Sequence, residues 1–510
     1  MLQEPTLFEL RTQLQQGALS SRSLIEYYLE RIDALNRQGP ELNAVVEVNP
    51  DIFLQIDQLE QQQRSGSPPG PLSGLPILLK DNIDTGDRMA TTAGSLALLE
   101  HRAKADAFIV QRLRQAGALI LGKTNLSEWA NFRSTQPTSA WSSRAGQTRN
   151  PYVLDRTPWG SSAGSAVAVA ANLCAAAIGT ETDGSIVYPA AMNSLVGLKP
   201  TVGLCSRSGI IPLSHSQDTP GPLTRSVSDA ALLLNVLTGA DVADPACRTA
   251  AAAGCDYTHD YTAALDRDGL RGARLGVTRQ LFPLCETITR LFEQALDILQ
   301  EAGASLIELD DLPDITSLRT AELTLMTYEL KAGLNTYLAE LEPHCPVHSL
   351  EELIAFNESH HGQVMPWFGQ ERLQQAAAKD DLTAPAYQQA RQVCQQLSRA
   401  QGIDRLLKTH RLDAIISPTA CLPWTIDPLY GDLASGGCAT LAAAAGYPHI
   451  TVPAGFAYGL PAGLSFFSTA WQEATLIRLA YAFEQHSQVR QAPTFLPTLS
   501  LGTRSEGFAY

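Results

Sequence analysis

Three short segments of the chain carry residue types that together could cut an amide bond. In G-L-P-I-L-L-K-D-N an apolar run delivers Lys80. In W-G-S-S-A-G-S a glycine- and serine-rich loop holds Ser161, and in G-T-E-T-D-G-S-I a loop tip holds Ser185. A serine hydroxyl is a weak nucleophile at neutral pH and must lose its proton to a nearby base as it attacks. No histidine occupies either serine loop. A lysine serves as that base only when neutral, and burial behind Pro76-Ile77-Leu78-Leu79 would disfavour its ammonium form and lower its pKa from ~10.4. Taken singly, each residue has a plainer reading: a lysine paired with Asp81 or another carboxylate, or a loop serine bonded to its own backbone. Taken jointly they describe a Ser-Ser-Lys hydrolase. The backbone of Thr182, Asp183, Gly184 and Ser185 adds a device that a generic turn would not need. Its N–H groups could converge on one point, with Gly184 relieving the steric limit on conformation, and so form an oxyanion hole.

Such residues need a scaffold, and the periodicity supplies one. Leu24 to Leu35, preceded by Ser21 and Ser23, repeats at helical spacing and predicts an N-terminal helical wrapper. Asp106–Ala116 predicts a helix and Ala118–Gly122 a short buried strand, while Val196–Leu198 opens another strand. Ala163–Ile178, rich in Ala and Val, is too short and small-residued for a membrane span of ~20 residues and predicts one tightly packed core helix. Further on, Arg274–Thr278 reads as a strand feeding a helix over Ile288–Glu301. Asp413–Ser417, Pro448–Pro453 and Leu464–Phe467 read as strands, and Glu473–Gln485 as a closing helix. The fold class is therefore α/β, a large mixed sheet covered by helices on both faces, with helical insertions. At 510 residues with no linker, charge block or repeat, the expectation is one domain over 1–510. Within it, 1–70 is the wrapper, 71–238 the motif-bearing core, 239–410 a mainly helical insertion or rim, 411–495 the return to the core and 496–510 a tail.

Composition excludes several function classes. A formal charge of −15 with no Lys/Arg cluster argues against a nucleic-acid partner. The N-terminus lacks the basic and apolar regions of a signal peptide. The nine cysteines include no C-x-x-C pair. A reduced, cytoplasmic protein without a membrane partner is the expectation. His344 and His348 have the i,i+4 spacing of a helical metal site, but Pro343 and Pro346 disrupt a helix there. Phosphate-binding glycine motifs are absent, so neither metal nor organic cofactor is expected. Asp218 and Glu128 read as residues that fix loops, and Trp159, Trp129 and Tyr188 as packing.

The three motifs, followed by G-L-K-P-T at Gly197–Thr201, resemble the amidase signature family. By that resemblance Lys80 is the base, Ser161 the bridging serine, entered through a cis peptide bond, and Ser185 the nucleophile. The likeness spans nearly the whole chain. Segments outside the signature, among them E-L-N-A-V-V-E-V-N-P at Glu41–Pro50, S-Q-D-T-P-G-P at Ser216–Pro222, Y-E-L-K-A-G-L at Tyr328–Leu334 and A-Y-A-F-E-Q at Ala480–Gln485, are similar to members that release ammonia from C-terminally amidated peptides. The implied partner is thus a small-molecule or peptide amide. Two departures stand out: Ala163 replaces a frequent glycine, and Ile186-Val187-Tyr188-Pro189 lacks the arginine that often follows the nucleophile. The second departure sets the chain apart from arginine-bearing members such as fatty-acid amide hydrolases and the amidotransferase subunits. The alternatives are an amidase of small aliphatic or aryl amides, a glutamine-hydrolysing amidotransferase subunit, and a degenerate binding protein on the same scaffold.

Overall fold

Near-continuous apolar runs, rather than alternating ones, mark strands that are covered on both faces. The computed structural model of the chain describes residues 4–66, 68–282, 285–433, 436–499 and 508–509. Most of the expected tail, 496–510, lies outside these residues. The strands are β1 (Val45–Val48), β2 (Pro76–Lys80), β3 (Leu119–Thr124), β4 (Trp141–Ser142), β5 (Gly146–Gln147), β6 (Ala176–Glu181), β7 (Val196–Lys199), β8 (Thr219–Thr224), β9 (Arg274–Val277), β10 (Ser305–Glu308), β11 (Ala414–Pro418), β12 (His449–Ala457), β13 (Leu460–Phe467) and β14 (Phe508–Ala509). One mixed sheet runs β1-β3-β2-β6-β8-β7-β12-β13-β11-β9-β10, with β14 on β12, while β4 and β5 form a separate ribbon. This is the α/β architecture that the periodicity predicts.

Parallel pairing of β3, β2 and β6 brings their carboxyl ends to one edge of the sheet, the edge where open α/β sheets bind ligands. Every residue of β2 is buried. Burying Leu78 and Leu79 contributes about 1.5–3 kcal/mol each, and a one-residue slip would turn every side chain to the opposite face. The apolar run thereby fixes the register that sets Lys80 beside Thr124 of β3 and draws a charged residue into the interior.

Residues 163–178, which composition predicts as one helix, are instead a helix, Ala163–Ala170, and the strand β6. Asn172 between them takes a φ of +54°, a left-handed conformation that terminates helices, and Leu173 N–H returns to Ala168 O at 2.8 Å. All eight helix residues are buried, because Ala and Gly side chains let the helix lie against the sheet. The sequence does not predict strand β8, since prolines argue against a central strand. It holds Pro220 and Pro222 opposite Thr180 and Ile178 of β6, and β7 pairs with it only at Leu223 and Thr224, short of both.

Between 239 and 410 helices prevail, but β9 and β10 join the main sheet beyond β11. The helix Ile315–Ala339 follows and sends Glu322 and Glu329 into the interior. The closing helix spans Glu473–Ser487. None of the nine cysteines is in a disulfide. Among the described residues no helix is long and apolar enough to cross a membrane.

Candidate active site

Lys80 is completely buried, and among the described residues no carboxylate pairs with it. Asp81, the plainer partner, is engaged by Arg144 Nη1 at 2.8 Å and by the Thr92 hydroxyl. Three groups surround Lys80 Nζ: Ser161 Oγ at 2.7 Å, Thr180 Oγ1 at 2.9 Å and Thr180 O at 3.1 Å. Asn82 Nδ2 donates to the same Thr180 hydroxyl oxygen at 3.0 Å. Nζ can donate to all three oxygens, and once neutral it keeps two N–H groups for Thr180 and can turn its lone pair to the Ser161 O–H. Desolvation pulls the Lys80 pKa down to about 7, against the smaller opposing pull of Asp218 and Glu181. At that value the base form is well populated at neutral pH.

Ser161 and Ser162 lead into the helix Ala163–Ala170, and the Gly160–Ser161 peptide bond is cis. Ser162 locks this turn to β6. Its Oγ donates to Thr180 O at 3.0 Å and accepts from Thr180 N at 3.2 Å, while its N–H donates to Ser185 O at 3.1 Å. A Cβ on Gly179 would fall 2.7 Å from Ser162 Oγ, so only glycine at this point of β6 lets the serine loop settle on the strand. The same contacts bring the Ser185 backbone against the Ser161-Ser162 turn. Ser185 is 7 % exposed, and among the described residues its hydroxyl has no hydrogen-bond partner. Lys80 and Ser161 are thus in direct contact and Ser185 adjoins them through the backbone.

The loop from Thr182 to Ser185 is pinned from beneath. Glu181 Oε2 accepts Ile186 N–H at 2.8 Å and Val187 N–H at 3.0 Å. The motifs do not single out buried Glu181, and its place inside G-T-E-T-D-G-S-I is the only signal the sequence offers for it. Among the described residues the N–H groups of Asp183, Gly184 and Ser185 donate to no other protein group, which leaves them available to an anionic oxygen. Gly184 has φ +77°, and a Cβ there would lie 2.0 Å from the Tyr188 ring. Gly184→Ala is therefore expected to displace the loop and lower kcat by about 100-fold or more, since a shift of about 1 Å costs that much. Steady-state kinetics checks this, with far-UV circular dichroism confirming the fold.

Neighbouring side chains build the walls. Trp159 stacks on Tyr188 at 4.4 Å between centroids and meets Trp424 edge-on at 4.9 Å, and Val187, at the position after the signature Ser-Ile, is buried in the same cluster. Trp159 and Tyr188 pack, as expected, but they pack against the loop of interest. Trp129 belongs to a different cluster. Asp218 fixes loops as expected: it accepts Thr182 Oγ1 at 2.6 Å and the N–H groups of Leu213 and Ser214 at 2.8 Å. Glu128 pairs with buried Arg133 at 3.0 Å and accepts Ser143 N–H at 2.5 Å. Trp424 and Glu322 come from distant parts of the chain and carry no sequence signal.

A serine–lysine contact at the carboxyl edge of a mixed α/β sheet, beside a loop of free N–H groups, defines a class of amide-cleaving enzyme. The chain belongs to the amidase family, whose model, described as Amidase, matches residues 23–477, and it is a hydrolase acting on amides. The fold is similar to that of native peptide amidase from Stenotrophomonas maltophilia, at 49 % identity and a TM-score of 0.91, covering 96 % of this chain and 99 % of that one. The sequence is also similar to a probable amidase of Arabidopsis thaliana, 41 % identical, with 97 % of this chain and 92 % of that protein covered. A glutamyl-tRNA(Gln) amidotransferase subunit of Halorhodospira halophila is 33 % identical, with 96 % of this chain and 99 % of that protein covered.

Proposed function

We propose that the protein hydrolyses the terminal carboxamide of C-terminally amidated peptides to a carboxylate and ammonia, through an acyl-enzyme on Ser185. The observation that carries the chemistry is the buried Lys80 Nζ, held 2.7 Å from Ser161 Oγ with no carboxylate partner among the described residues. Ser185 attacks the carboxamide carbon as its proton passes through Ser161 to neutral Lys80. The oxygen that becomes negative is received by the N–H groups of the 182–185 loop, where Thr182, Asp183, Gly184 and Ser185 form the oxyanion hole. Collapse of the tetrahedral intermediate breaks the C–N bond, and the nitrogen takes the proton back from Lys80 and leaves as ammonia. Water then gives a proton to the same relay as it attacks the ester, and as the C–Oγ bond breaks Ser185 takes that proton back from Lys80 and the freed acid ionises to the carboxylate in solvent. Each half-reaction returns Lys80 to its neutral form, so the balance closes without a metal or organic cofactor.

The substrate class rests on the similarity to peptide amidase. Residues of 239–410 form the rim along which the peptide would lie, with only the small NH₂ leaving group beyond Ser185. The Trp159-Tyr188-Trp424 cluster beside the loop supplies an apolar wall. Ammonia release from a panel of peptide amides, aliphatic amides, aryl amides and glutamine tests the assignment. Turnover of peptide amides at the highest kcat/KM is the expected result, and preference for glutamine, above all with a copurifying partner, would favour the amidotransferase reading instead.

The titration of Lys80 fixes the pH dependence. The lysine must be neutral to act, and burial lowers its pKa to about 7. kcat/KM is expected to rise with pH through an inflection near that value. A rise first seen near the ordinary lysine pKa of about 10.4 would contradict a desolvated base.

A further inference from the structure

Asp183 stands two residues before Ser185 and is partly shielded from solvent, and its carboxyl interacts with that of Glu322 on the helix Ile315–Ala339. Glu322 is 2 % exposed. Gln217 ties the helix to the loop, its Nε2 donating to Glu322 Oε1 at 2.7 Å and to Thr182 O at 3.2 Å. Thr440 donates to Asp183 Oδ2 at 3.0 Å. The other oxygen, Asp183 Oδ1, is buried and has no conventional donor among the described residues, although the Glu322 carboxyl is within hydrogen-bonding reach of Asp183. A buried carboxylate oxygen without a donor is costly, and two adjacent ionised carboxylates repel. One proton on Glu322 removes both penalties, because a protonated carboxyl is a donor.

We propose that Glu322 is a positioning residue for the amidase reaction: as a neutral carboxylic acid it donates to Asp183 Oδ1 and clamps the 182–185 loop to the helix Ile315–Ala339, holding the loop N–H groups in line. The inference rests on the reading of Ser185 as nucleophile and of this loop as the oxyanion hole. The surroundings assign the proton to Glu322. Asp183 has the Thr440 hydroxyl and the positive charges of Arg319 and Lys199 to favour its anion, whereas at Glu322 the Gln217 N–H and the charge of Arg319 favour the anion but the negative charge of Asp183 opposes it more strongly. Burial is the leading cause that raises both groups, Glu322 well above its ordinary value. The other titratable groups that face the pair are Glu181 on the adjoining strand, Tyr188 and Cys438 beside Asp183, and Cys394 beside Glu322. The pair titrates as a unit, and its second ionisation replaces a hydrogen bond with two facing anions.

Two variants and two readouts test this. Glu322→Gln stays neutral at every pH, and its amide can donate to Asp183 Oδ1 while accepting from Gln217. Glu322→Ala supplies no donor. In the wild type kcat is expected to decline on the alkaline side as Glu322 ionises. In E322Q that decline is expected to vanish, with E322A lowering kcat about 10- to 100-fold, KM changing far less, and E322Q recovering most of the loss. The labelling rate of Ser185 by a fluorophosphonate, followed over the same pH range, reads the loop without any amide substrate and should show the same difference. Wild-type and E322Q profiles that coincide while Ser185 labels normally would overturn the inference alone. Failure of the wild type to label at Ser185 would overturn the function reading and the inference with it. Where E322A does not fold, the comparison of E322Q with the wild type decides.

Discussion

Ser185→Ala is expected to abolish ammonia release, with kcat lower by about 10⁶-fold, the scale of removing the nucleophile from a serine hydrolase in which the catalytic residues act as a unit. Stability should hardly change. Among the described residues the Ser185 hydroxyl has no hydrogen-bond partner, so its removal leaves no buried group unpaired, whereas its carbonyl still accepts Ser162 N–H. Thermal unfolding of the variant alongside the wild type, together with an ammonia assay, separates lost chemistry from lost fold. Turnover near the wild-type level would exclude Ser185 as the nucleophile.

Lys80→Ala is expected to be nearly as severe, about 10⁴- to 10⁶-fold in kcat, because Ser161 then has no base to receive the relayed proton. Here the fold is also affected. The substitution removes a long buried side chain and leaves Thr180 O and Oγ1 without the donor they now share, so some loss of stability accompanies the loss of rate. The pH profile isolates the chemistry: whatever activity survives should lack the inflection near 7. Retention of that inflection in Lys80→Ala would assign it to another group. Ser161→Ala should fall between these variants and full activity, since a water in the vacated space can carry the proton across a short gap.

The chemistry is legible in the sequence where residue type and fold are dictated together. Lys80 ends an apolar strand, and the apolar run both sets the register and desolvates the amine, so one pattern foretells position and pKa at once. Ser161 lies in a glycine-serine loop ahead of small residues, and close helix packing explains both. Strands β3, β7, β9, β11, β12 and β13 and the closing helix are legible within a few residues. What is hidden is non-local. The break at Asn172 interrupts an unbroken apolar run whose composition suits a buried helix and a buried strand equally. Strand β8 is concealed behind Pro220 and Pro222, which are tolerated because its pairing with β7 is confined to its last two residues. Glu181 carries no pattern of its own, and its role is visible only once Ile186 and Val187 N–H groups are seen to point at it. Trp424 and Glu322 lie 239 and 137 residues beyond Ser185 in the chain, and no periodicity links residues so far apart. The negative charge that speaks against nucleic acid likewise says nothing about which amide is cut, and the proposed peptide amide rests on the similarity to peptide amidase.

On the proposed mechanism Ser185 removes ammonia from the end of an amidated peptide without cutting its chain. Mass spectrometry of a C-terminally amidated peptide incubated with the wild-type enzyme and with Ser185→Ala tests it most directly. Full conversion to the free acid of unchanged length, with one ammonia per peptide, is expected from the wild type and none from the variant. Shorter peptide fragments, or conversion by Ser185→Ala, would contradict it.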